Sequence, residues 1–191
     1  QAQSGEGGGL TWAAAGGGSL TFIGQTIASG SPTYLTVDGL DDPAFDAYLV
    51  VGSELQPAVN TAQLQIRFGD SNGIDGDSSD YSYSIEYLQA GSTSHTQYSS
   101  NGASFINVAN YVGNSSTYGC GFHAVVYCSG GGSTLRPVIS GSSVSLYATN
   151  TVGGTFIGAR KDYIAFDRIA LVWNSGNHSV GRLAVWGLKH A

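Results

Sequence analysis

Apolar and polar residues alternate with a period of two along most of this chain, and nowhere does a helical period of apolar residues last a dozen positions. Residues 62–68 show the pattern most plainly: Leu64, Ile66 and Phe68 fall on one face, and Gln63, Gln65 and Arg67 on the other. The continuous run Tyr48-Leu49-Val50-Val51 within 47–55 predicts a central strand buried on both faces. Further strands are predicted at 20–28, 33–37, 81–87, 104–108, 121–128, 134–139, 143–148, 155–159, 164–173 and 180–188, each bounded by Gly, Ser, Asn or Asp. Asp41-Asp42-Pro43-Ala44 reads as a short turn of helix with an Asp cap and Pro at its first position. Strands 62–68 and 81–87 are expected to pair across the polar loop 69–80. The result is an all-β fold, a jelly-roll-like antiparallel β-sandwich of about ten strands. No repeat at a fixed period points to a propeller or solenoid.

Composition divides the chain in two. Residues 1–19 form a Gly-rich stretch whose only large apolar groups are Leu10 and Trp12, which reads as a flexible arm or linker. Residues 20–191 form the sandwich domain. A body of about 170 residues buries roughly 70% of the surface its unfolded chain exposes, so stability requires neither a disulfide nor a structural metal. Cys120 and Cys128 bracket one predicted strand; if it is straight, their sulfurs lie about 26 Å apart. A disulfide needs Cα atoms within about 7 Å, so two thiols are expected. His123, on the opposite strand face, points away from both, which removes the simplest zinc site.

Charged residues make up 10% of the chain, against about 25% in an average soluble domain, so the surface must be built from hydroxyls, amides and backbone. The net charge is −6 and the seven basic residues are scattered. Nucleic acid, which requires clustered positive charge, is not an expected partner. No stretch of 18 apolar residues exists to form a membrane-spanning helix.

Two groups of residues are candidates for binding. Asp70, Asp75, Asp77 and Asp80 crowd one Gly-rich loop and supply the hard oxygens that Ca²⁺ prefers, although their spacing departs from the EF-hand pattern. No other cofactor is implied. Trp12, Tyr81, Tyr83, Tyr98, Tyr111 and Tyr118 lie near predicted loops and strand ends, where amphipathic rings hold sugars or partner proteins. Catalytic signatures are lacking: there is no G-x-S-x-G, and nothing singles out a carboxylate pair among Glu54, Glu86, Asp38, Asp46, Asp162 and Asp167. A non-enzyme is expected.

The stretch from Phe22 to Phe68 resembles the opening of a β-sandwich module of bacteriophage virion proteins, of the tail-fibre, head-fibre and capsid-decoration kinds. The likeness is carried by Gly39, Leu40, Phe45, Asp46, Tyr48-Leu49-Val50-Val51, Pro57, Ala58 and Ala62 to Phe68. The close is similar too, with Asn174-Ser175-Gly176-Asn177 followed by Gly181 to Lys189. The resemblance implies a structural or attachment role in a virion, outside the cell. Its expected partners are copies of itself, a trimer by preference, other virion proteins and host-surface glycans. The alternative is a carbohydrate-binding module of a secreted enzyme.

Overall fold

A computed structural model describes residues 2–4, 10–12, 20–128, 136–147 and 150–189, the first two stretches by their backbone alone. Within the Gly-rich stretch 1–19, β1 (Ala2–Ser4) and β2 (Leu10–Trp12) pair antiparallel; the Trp12 side chain lies outside the described residues. The body is an antiparallel sandwich of thirteen strands: β3 (Leu20–Ile27), β4 (Tyr34–Asp38), β5 (Ala47–Pro57), β6 (Ala62–Asp70), β7 (Gly73–Ile74), β8 (Tyr81–Gln89), β9 (His95–Ala103), β10 (Ile106–Val112), β11 (Cys120–Tyr127), β12 (Val138–Tyr147), β13 (Asn150–Arg160), β14 (Arg168–Trp173) and β15 (His178–Leu188).

One sheet runs β10-β6-β14-β4 with β7 paired onto β6; the other runs β3-β15-β5-β11-β12-β13-β8-β9. The chain passes between sheets at most connections, staying in one sheet at the β6–β7 reversal, the β8–β9 hairpin and the β11-β12-β13 meander. This is jelly-roll order, in which the meander fills one strand position of the roll and β15 and β3 extend the larger sheet.

The crossings correct the expected partnership of 62–68 and 81–87. β6 lies in the small sheet and β8 in the large one, so the two strands face each other across the core. A loop of a dozen residues is far longer than the two to five typical of a hairpin, and here it is an intersheet link. Segments 134–139 and 143–148 merge: β12 is one strand of ten residues. β9 escaped prediction because HTQYSSNGA, on an edge with most positions exposed, has no apolar alternation. Asp41 to Ala44 forms an Asx-type turn, with Ala44 N–H donating to Asp42 Oδ1 at 2.8 Å, and does not continue as helix.

Between the sheets lies one apolar cluster that includes Tyr48, Phe68, Phe122, Phe156, Phe166 and Trp173. The Tyr48 hydroxyl donates to Leu40 O at 2.6 Å, closing the β4–β5 link over this core. Glycines set the close approaches: a Cβ on Gly158 would stand 2.6 Å from Ile106 of the opposite sheet, and one on Gly154 2.8 Å from the Cβ of Tyr87 on the adjacent strand of the same sheet. Cys120 and Cys128 are buried thiols at opposite ends of β11, and His123 points outward as strand parity requires. Burial pushes the Cys128 thiol up to about 11 and the Cys120 thiol further. Both are poor nucleophiles at neutral pH.

Candidate functional site

The acidic loop holds an arginine. Asp70 to Gly73 is a tight reversal between β6 and β7, after which Arg160, at the end of β13, meets Asp75 through Nε (3.2 Å) and Asp80 through Nη1 (3.2 Å). Asp70 Oδ1 and Asp80 Oδ2 accept loop N–H groups, those of Asn72 (2.7 Å) and Asp77 (2.9 Å). Among the described residues no three acidic, His or Cys side chains are grouped to hold a metal ion. Two of the four clustered carboxylates, Asp75 and Asp80, thus have a guanidinium partner that lies 85 and 80 positions away in sequence. Burial raises Asp75 above the ordinary carboxylate value, against the opposing pull of Arg160.

The aromatic candidates separate into three groups. Tyr81 is fully buried; Phe68 N–H donates to its hydroxyl (2.9 Å), which faces the carbonyls of Asp75 (3.1 Å) and Phe68 (3.2 Å). It fastens the two sheets together and is no surface group. Tyr83 and Tyr118 are half-buried, Tyr83 stacked on Phe105 at 5.7 Å and Tyr118 packed on Gly113.

Tyr98 and Tyr111 do come together. Their hydroxyls lie 3.3 Å apart, and both rings pack on Tyr87, at 6.0 and 5.9 Å between centroids, with Tyr147 beside Tyr111 at 6.5 Å. Tyr111 adopts φ +55° within the register shift between Ala109 and Val112 of β10, a left-handed conformation that turns its ring out to solvent and costs about 1 kcal/mol. Hydrogen bonds with Tyr111 and Tyr87 lower the Tyr98 hydroxyl below its ordinary value, while burial raises Tyr87. The result is a four-tyrosine platform on the rim of the sandwich. Tyr147 carried no signal in the sequence, because the cluster is assembled by β8–β9 pairing and by the β10 bulge.

A broader surface was not foreseen. On the outward face of the large sheet, the register aligns Phe22, Trp186, Leu49, Val125, Ser140, Ile157 and Ser84 in one row across the strands. A flanking row runs from Leu20 and Leu188 through Ala47, Tyr127 and Val138 to Ala159. On the other side, beyond a polar row that includes His123, Ser142 and Glu86, lie Ile27, Arg182, Val144 and Leu88. Ile157 is 60% exposed, Tyr127 52% and Phe22 53%. A groove of about 570 Å³ crosses this face between Tyr127, Ile157, Ser84 and Asn101.

Compared with known proteins, the chain matches no family model, no curated protein and no solved structure. The surfaces themselves therefore carry the functional argument. Isolated exposed apolar residues are ordinary, but a contiguous band across a whole sheet marks a surface meant to be covered. Its scarcity of charge lowers the desolvation cost of covering it.

Proposed function

We propose that this chain is a non-enzymatic structural protein of a bacteriophage particle, of the tail-fibre or head-fibre and decoration type. It works by docking its large sheet in assembly and by presenting loops and rim to the host surface. The observation that carries this reading is the outward face of the eight-stranded sheet, where Phe22, Tyr127, Val144 and Ile157 stand exposed amid almost no charge. Copies of itself and other virion proteins are its partners, and the virion is its location. The test is mass spectrometry of density-purified particles encoded together with this chain: its peptides should persist through purification in stoichiometric amount. Their loss with the soluble fraction would defeat the proposal.

A second reading rests on the tyrosine platform. Rings with free edges and hydroxyls suit the apolar faces and hydroxyls of a neutral glycan, as in a carbohydrate-binding module of a secreted enzyme. Under that reading the isolated chain binds oligosaccharides on a glycan array, and Tyr98→Ala with Tyr111→Ala abolishes the signal.

A further inference from the structure

We propose that the outward face of the large sheet is covered by a second copy of this chain in a two-fold, face-to-face pair. This rests on the reading of that face as an assembly surface and names its partner. Eight strands about 4.8 Å apart, with outward rows about 6.6 Å apart along them, make a face of about 34 by 20 Å. That is roughly 700 Å², close to the approximately 800 Å² per partner of a standard stable interface.

The placement of charge selects the geometry. Apart from the imidazoles of His123 and His95 and the bulged Glu54 at one end, the charged side chains of the face's four outward rows, among the described residues, are Arg182 and Glu86. Arg182 is on β15, second from one edge of the sheet, and Glu86 on β8, second from the other. A two-fold axis along the strands, between β11 and β12, lays β15 of each copy over β8 of the other. Arg182 and Glu86 then fall one row apart, within the span of an arginine side chain, and the contact occurs twice. The same operation sets each copy's apolar rows against themselves, at the modest crossing angle of aligned sheets. Such an isologous contact closes at two copies, whereas a trimer would need two different surfaces.

Sedimentation equilibrium of the full chain tests this, since the pair has twice the 19.7 kDa of the monomer. Ile157→Asp, at an exposed site the fold does not need, should raise the dissociation constant at least about tenfold while leaving circular dichroism unchanged. Arg182→Glu and Glu86→Arg should each weaken the pair, and together restore most of it. Independently, Ser142→Cys, beside the axis, should cross-link copy to copy with a short bismaleimide, while Gln97→Cys on the sheet edge should not; the two native thiols are buried. A monomer or a three-copy mass at roughly 100 µM, no recovery in the double variant, or cross-linking only through Gln97→Cys would overturn the proposal. Presence of the chain in purified particles is a separate measurement, so a failed pair and a failed virion reading are told apart.

Discussion

β8 carries a tyrosine at each end of the same inward face, and the two have opposite fates. Tyr81 spends its hydroxyl on backbone groups of β6 and the acidic loop, and Arg160 lies over its ring at 5.6 Å. Tyr87 sits at the rim, where its neighbours are other tyrosines and the outermost two meet water. The difference is made by what crosses from the opposite sheet: β6 and its loop cover the first end, while only the bulged β10 reaches the second. A ring is structural where backbone consumes its hydroxyl and available where other rings do.

The largest effect that sharpens this contrast is at the sealed end. Arg160→Met strips two partly buried carboxylates of their partner and should lower the unfolding free energy by about 2–3 kcal/mol in urea titration. Tyr81→Phe leaves the Phe68 N–H without an acceptor and should cost about 2 kcal/mol in the same assay. Equal stability of wild type and Tyr81→Phe would break the comparison.

His178 belongs with the sealed class. Trp173 can only donate, so its Nε1–H (3.0 Å) fixes Nδ1 of the buried His178 as acceptor and leaves the proton on Nε2, facing Leu171 O at 3.2 Å. Burial holds His178 below its ordinary 6.5. As pH falls the unfolded chain therefore takes up this proton first, and the imidazole's contribution, whole above about 6.5, is lost progressively below it. Stability measured between neutral and mildly acidic pH should fall more steeply for wild type than for His178→Gln, whose amide can make both bonds.

At the open end effects on stability should be small. Tyr98→Phe should change it by no more than about 0.5 kcal/mol. Yet it should remove the first phenolate to appear in an alkaline absorbance titration, because Tyr98 is the hydroxyl its neighbours lower. Should that early phenolate survive the substitution, the rim tyrosines are not coupled as their geometry implies.

The strands with a buried side could be read from the chain, because burial writes period two into Leu64-Ile66-Phe68 and Phe122-Ala124-Val126. β9 could not, since an exposed edge imposes no pattern, and neither could the sheet to which a strand belongs, since both sheets share one core and their strands alternate alike. The sites were harder still. Asp75 and Arg160, or Tyr98 and Tyr147, are brought together by topology across long stretches of chain. The outward row from Phe22 to Ser84 draws single residues from seven strands, and no window of sequence contains it.

Glycine is the most frequent misdirection in this chain, at 29 of 191 residues. On the inner side of β13 it acts as a steric address: Gly158 is a notch into which Ile106 of the opposite sheet descends, and Gly154 one that admits Tyr87 of the adjacent strand, so the missing side chains specify the packing as firmly as large ones would. A composition that reads as slack is here the tolerance of a mould, and even a methyl group at Gly158 would force β10 and β13 apart.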